Sequence, residues 1–230
     1  LFFNLVLPST IGGDAVRTLD ISHHAKVHSS GILATVVLDR VAGFIGLISV
    51  LIVALIFGYG VLNDASILYV ALILFLAMLF LTGIMFSENF FHRVFSFLPF
   101  KKLKDYLYKI HEATSSYKQK KEILLWAWFL SVLTHVGLSF VYYITALALG
   151  IHLKLVYFII FVPVITAFSA LPLSVGGLGL RDSASIFVFT KVGLMAEKAF
   201  ALSLLNFGFM LVIGLLGGIS YVLSLHHRRL

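Results

Sequence analysis

Two stretches of the chain share residue types at a spacing suited to holding an anion. Leu7-Pro8-Ser9-Thr10-Ile11-Gly12-Gly13-Asp14-Ala15-Val16-Arg17 and Leu171-Pro172-Leu173-Ser174-Val175-Gly176-Gly177-Leu178-Gly179-Leu180-Arg181 both read L-P-x-x-x-G-G-x-x-x-R. Proline removes a backbone donor and glycine tolerates unusual φ, so residues 7–17 and 171–182 each predict a broken helix that restarts after the glycine pair. A restarted helix presents unpaired N–H groups and partial positive charge, which suit an anion. Ser9 and Ser174 add hydroxyls, and Gly12, Gly13, Gly176 and Gly177 let a ligand approach the backbone. Arg17 and Arg181 fall in the first turn or so of the new helices, where the helix dipole disfavours a cation. A guanidinium that breaks this local rule at a buried break suits a phosphodiester, since it can fork two oxygens. The competing reading pairs Arg17 with Asp14 or Asp20 and Arg181 with Asp182, so that each arginine locks its own break.

Other polar groups stand in apolar surroundings. Asp39 and Arg40 sit at the mouth of a long apolar run, and Asn206 lies about as far past Arg181 as they lie past Arg17. They either face the same cavity as the arginines, or they are a snorkelling Arg40 and a helix-packing Asn206. His135, next to Thr134, reads as an interior polar group satisfied by its neighbours. His23, His24 and His28 include an i, i+4 pair but have no acid at metal-ligand spacing, so no metal is assigned. The chain has no cysteine, which excludes disulfides, thiolate zinc sites and a cysteine nucleophile. It also lacks a G-x-x-x-x-G-K-[ST] phosphate loop. No cofactor is expected.

The elements that must position these groups follow from composition. Of 230 residues, 60% are hydrophobic and 12% charged, with 22 Phe and 9 Tyr. Soluble domains are roughly 45–50% apolar and about 25% charged, so a soluble enzyme is excluded. The charge-free intervals 41–62, 65–87, 123–153, 155–180 and 199–227 are long and continuously apolar, as transmembrane helices require and barrel strands do not. The expected fold is therefore all-α: a polytopic helical membrane domain over residues 1–230, with two inverted repeats that each contain a broken or re-entrant helix at a proline and Gly-Gly motif. The chain opens at Leu1 inside an apolar run and without Met, so it is expected to continue helices lying upstream.

Orientation follows from charge. Residues 88–122 hold Arg93, Lys101, Lys102, Lys104, Lys109, Lys118, Lys120 and Lys121 against four acids, which makes this loop cytoplasmic. The intervals 41–62 and 123–153 then both run outward. If residues 155–180 crossed fully, the basic tail His226, His227, Arg228 and Arg229 would end outside. A re-entrant hairpin turning at residues 172–179 removes that conflict. Within the loop, Leu103, Tyr106, Leu107 and Ile110 recur at helical spacing beside lysines, either as a helix on the membrane surface or as a solvated linker helix. The net charge of +7 is thus directed at anionic lipid heads rather than nucleic acid.

The motif L-P-S-T-I-G-G-D-A-V-R, the L-D-R before a long apolar helix, and S-A-L-P-L-S-V-G-G-L-G-L-R-D together resemble the flippase-like membrane region of lysylphosphatidylglycerol synthases, of the multiple peptide resistance factor type, and its stand-alone relatives. The resemblance covers essentially the whole chain. It implies a multi-pass protein of a bacterial inner membrane or archaeal membrane that moves phospholipids or lipid-linked substrates between leaflets. The family's glycine and arginine positions fall on Gly12, Gly13, Asp14 and Arg17, and on Gly176, Gly177, Gly179, Arg181 and Asp182. Family patterns usually carry Glu where Asp39 and Asp182 stand, and often a basic residue near Asn206. No part of the chain resembles an aminoacyltransferase domain, so lysyl transfer is not expected of it.

These readings converge on a lipid translocator whose ligand is an anionic phospholipid or a polyprenyl-phosphate-linked lipid. Arg17 and Arg181 would hold the phosphate, with Gly12, Gly13, Gly176, Gly177, Ser9 and Ser174 around it and Asp14, Asp39, Arg40, Asp182 and Asn206 in support. One alternative is a membrane-embedded transferase acting on lipid phosphates, for which Asp14, Asp20 and Asp39 are the candidate acids. Another is an accessory subunit for a lipid-modifying enzyme, in which the breaks have no ligand.

Overall fold

The computed structural model describes residues 29–58, 65–87, 93, 108, 120–170 and 177–227. Among them are six helices and no strand: α1 (Ser29–Gly58), α2 (Ala65–Phe86), α3 (Lys121–Ala148), α4 (Leu155–Ser169), α5 (Leu180–Thr190) and α6 (Ala196–His227). The helices α2, α3 and α6 occupy the charge-free intervals to within a few residues. By contrast, α1 starts well before residue 41, so Asp39 and Arg40 belong to a helix already under way. A helix can begin before the chain reaches lipid depth, and charge-free length reads only the apolar part.

The interval 155–180 is not one helix. Its first part ends at Ser169, and the next helix begins at Leu180. Pro163, buried inside α4, is tolerated there at the cost of the bond to the Ile159 carbonyl. Residues 171–176 lie outside the described residues, as do the first motif at 7–17 and most of the basic loop at 88–122.

The described residues fall into two compact units, one reaching as far as Gly137 and the other starting at Leu138. In the first, α1 packs on α2. Leu47, Ile48 and Leu51 on α1 and Ile67, Ala71 and Leu74 on α2 are buried, each set at the spacing of one helix face. The early part of α3 meets α1 through small and polar groups. Trp128 Nε1 donates to Ser49 Oγ at 2.9 Å, and Ser131 Oγ and His135 Nε2 both reach the Gly43 carbonyl at 3.4 Å. Higher numbers on α3 therefore meet lower numbers on α1, whereas the charge-based topology expects the two to point the same way. Loop charges decide on which side a loop lies; the local course of this crossing follows the close approach of Gly46 and Ser131 and the bonds to the Gly43 carbonyl.

In the second unit, α5 packs between α4 and α6. Phe189 of α5 lies 5.3 Å from the Phe158 ring and 5.2 Å from the Phe161 ring of α4, and all three are fully buried. On its other side α5 is fastened to α6 by Ser185 Oγ, which donates to the Ala199 carbonyl at 3.1 Å. The turn between them is closed by the amides of Val192 and Leu194 on the Phe189 carbonyl and of Gly193 on the Thr190 carbonyl. The later part of α3 adds Ser139, Tyr142, Thr145 and Ala146 to the buried surface.

Both α3 and α6 are long and apolar enough to cross a bilayer. Their large apolar side chains are mostly exposed, including Leu125, Trp126, Phe129 and Leu133 on α3 and Val212, Ile213, Leu215 and Leu216 on α6. Such surfaces are stable against lipid and costly against water.

Candidate functional site

The break before α5 gathers the polar groups of the second unit. Gly177 and Gly179 both have positive φ, 80° and 82°, and the ψ of -57° at Gly179 lies outside even the left-handed helical region, so a side chain at such positions costs about 1–3 kcal/mol. Gly177 is buried, and a Cβ there would lie 3.2 Å from the Ser169 Cβ at the end of α4. These two glycines shape the backbone that leads into α5.

At the N-terminus of α5 the acid, not the arginine, meets the helix dipole. The Gly179 N–H donates to Asp182 Oδ2 at 3.0 Å, which is the back-reaching arm of a capping box. Glycine has no side chain to supply the reciprocal arm. Asp182 is thereby placed where an anion is favoured.

Arg181, one residue earlier, turns toward α6. Its Nε donates to Ser203 Oγ at 3.2 Å, and the Ser203 hydroxyl donates to Asp182 Oδ1 at 2.6 Å. The guanidinium lies over the Phe207 ring, 4.6 Å from its centre, a cation–π geometry. Arg181 Nη2 stands 3.6 Å from Asp182 Oδ1, close enough for charge attraction but outside hydrogen-bond range. That nitrogen is buried and has no hydrogen-bond partner among the described residues. Arg181 and Asp182 are only 7% and 8% exposed, and Ser203 is fully buried. Tyr142 of α3, also buried, is within electrostatic reach of both charges.

One turn further along α6, Asn206 is committed to packing bonds. Its Nδ2 donates to the Leu202 carbonyl at 2.9 Å, and its Oδ1 accepts from Thr145 Oγ1 at 3.5 Å. Asp39 is exposed and Arg40 half-buried on α1, in the other unit. His135 is engaged by the Gly43 carbonyl. Ser9, Gly12, Gly13, Asp14, Arg17, Ser174 and Gly176 lie outside the described residues, as do Asp20, His23, His24 and His28.

Of the residues singled out from sequence, the structure brings together Gly177, Gly179, Arg181 and Asp182. Of the two sequence readings of Arg181, the structure bears on the pairing with Asp182. Arg181 does pair with Asp182, yet through a bridging serine, and one guanidinium nitrogen has no hydrogen bond among the described residues. Sequence reasoning missed Ser203, Phe207 and Tyr142. A signal for Ser203 existed: Ala199, Ser203 and Asn206 recur at i, i+4 and i+7 on α6, a stripe of small and polar residues in an apolar helix. Among the described residues no three His, Asp or Glu side chains are grouped to hold a metal.

A buried guanidinium nitrogen without a hydrogen-bond partner among the described residues is a donor that an anionic oxygen could satisfy. The family model described as the lysylphosphatidylglycerol synthase TM region matches residues 1–218. The chain belongs to this family. No curated protein and no solved structure matches it. As a member of the lysylphosphatidylglycerol synthase TM region family, the chain is a helical membrane region with a membrane-lipid-related function. The exposed apolar faces of α3 and α6 agree with that setting.

Proposed function

We propose that this membrane region is a lipid translocator that moves a phospholipid or lipid-linked phosphate between leaflets. The observation that carries the reading is Arg181: an arginine 7% exposed, with a buried Nη2 that has no hydrogen-bond partner among the described residues, on a helix that starts at a glycine break. A buried cationic donor without a partner is costly in an apolar bundle, and a phosphodiester oxygen is a fitting acceptor. Arg17, in the matching motif, is the proposed counterpart by sequence. The glycine breaks would act as hinges for alternating exposure.

The test is leaflet exchange. The full chain is reconstituted into phosphatidylcholine liposomes containing a headgroup-labelled anionic phospholipid, and the label reached from outside is followed with time. Wild type is expected to exceed protein-free vesicles. Arg181→Ala is expected to lower the rate by about tenfold or more, the scale of a hydrogen bond to a charged group. Arg181→Lys should rescue it poorly, because an ammonium keeps the charge but lacks the planar fork. Wild-type exchange no faster than protein-free vesicles would remove the translocator reading for the lipid tested.

A further inference from the structure

The Arg181 side chain has two rivals for its hydrogen bonds, and the structure shows which one is held off. Asp182 is adjacent in sequence, oppositely charged and buried beside it, so a direct bidentate ion pair is the obvious outcome. That pair does not form. The Ser203 hydroxyl stands between the two, accepting from Arg181 Nε and donating to Asp182 Oδ1. With Ser203 in this position the closest contact from Nη2 to the carboxylate is 3.6 Å. Meanwhile Asp182 Oδ2 is occupied by the Gly179 amide, so the carboxylate is anchored to the start of α5 and cannot follow the arginine freely. Phe207, under the guanidinium plane, holds the group's face.

We propose that Ser203, with Phe207 behind it, is a positioning residue that keeps Asp182 from capturing Arg181, so that Nη2 stays available to an anionic lipid oxygen. In this arrangement Asp182 is the internal competitor of the lipid phosphate, and the serine sets how strongly it competes. The local charge also limits the ligand. The arginine and the aspartate cancel, so a singly charged phosphodiester is accommodated at lower electrostatic cost than a doubly charged phosphate monoester. This rests on the reading of Arg181 as a lipid-phosphate donor, but it makes claims that the reading does not.

Binding and exchange are measured separately on the full chain. Binding is read in phosphatidylcholine nanodiscs titrated with spin-labelled phosphatidylglycerol, as the motionally restricted fraction of the label. Exchange is read in liposomes over a range of phosphatidylglycerol content, giving a half-saturating mole fraction and a maximal rate. Ser203→Ala is expected to weaken binding and raise the half-saturating fraction by about tenfold, with the maximal rate little changed, because the arginine closes onto Asp182. Ser203→Thr, which restores the hydroxyl, should return both to near wild type. Asp182→Asn keeps the amide cap but removes the competing charge, and should tighten binding. The decisive variant is Ser203→Ala with Asp182→Asn. It should bind at least as well as wild type, because no carboxylate remains to capture the arginine, whereas a purely structural serine would leave it as weak as Ser203→Ala.

Unchanged binding in Ser203→Ala, or a double variant no better than Ser203→Ala, overturns the proposal. If Ser203→Ala does not fold, weaker binding by Asp182→Asn than by wild type overturns it equally. A chain that binds with this pattern but never exchanges lipid refutes translocation while leaving the clamp in place. Phosphatidic acid, with its phosphate monoester, should bind more weakly than phosphatidylglycerol at a pH where it is doubly charged; the reverse order overturns the assignment of the ligand class.

Discussion

Gly46 of α1 faces Ser131 of α3 so closely that a methyl group added at Gly46 would overlap the Ser131 side chain, with the Ser131 carbonyl carbon only 3.0 Å away. Apolar attraction between helices is weak in lipid, and close backbone approach takes its place. Gly46→Ala is therefore expected to destabilise the first unit by about 1–3 kcal/mol, the usual range for overpacking. Thermal unfolding in detergent measures it. Adding Ser131→Gly should recover only part of the loss, because the backbone contact remains; full recovery would place the clash in the Ser131 side chain alone.

The two glycines at the start of α5 should respond differently. Gly179→Ala meets no atom within 4 Å and carries only its backbone strain, whereas Gly177→Ala adds a contact with Ser169. The expected cost is about 1–3 kcal/mol of backbone strain for each, with the Ser169 contact added for the second. Combining each with Ser169→Gly distinguishes them in the same unfolding assay. Relief is expected for Gly177→Ala alone, and equal relief in both would contradict the contact described.

Asn206 is expected to matter for packing rather than for lipid affinity. Its amide already bonds Thr145 and Leu202, and Thr145 keeps a second bond to the Val141 carbonyl. Asn206→Leu should lower stability by about 0.5–1.5 kcal/mol, in line with interhelical hydrogen bonds in membranes. The half-saturating lipid fraction should not move. A large shift there with stability intact would instead assign Asn206 to the lipid cavity.

Lipid contact along α3 can be tested with the chain's two tryptophans. Trp126 is 65% exposed on an apolar helix, while Trp128 is 39% exposed with its indole N–H bonded to Ser49. In single-tryptophan variants made by Trp→Phe substitution, bromine on the acyl chains should quench Trp126 more strongly than Trp128. Aqueous iodide should quench both weakly. Strong iodide quenching of Trp126 would show that this face of α3 meets water.

Much of the helix plan was legible because it follows from local physics. Lipid tolerates neither unpaired backbone nor unpaired charge, so charge-free length alone located α2, α3 and α6. Glycine chemistry likewise marked the backbone before α5, since Gly177 and Gly179 take φ values that other residues resist. The adjacency of Arg181 and Asp182 made their pairing foreseeable. The start of α1 was less legible, because a helix carrying Asp39 and Arg40 has no apolar edge to mark where it begins.

What the sequence determined by itself, then, is that the chain lives in a bilayer as helices, breaks before residue 180, and carries an arginine just past the break. Only tertiary structure decided what that arginine touches. Ser203 and Phe207 stand more than twenty residues away on another helix, and their meeting with Arg181 depends on how α6 is rotated about its axis against α5. Small residues at Ala184, Ser185 and Ala199 let those helices approach, a rotation that no local preference encodes. That Nη2 finds no hydrogen bond among the described residues is a consequence of that packing, in which one serine hydroxyl takes the position between two opposite charges.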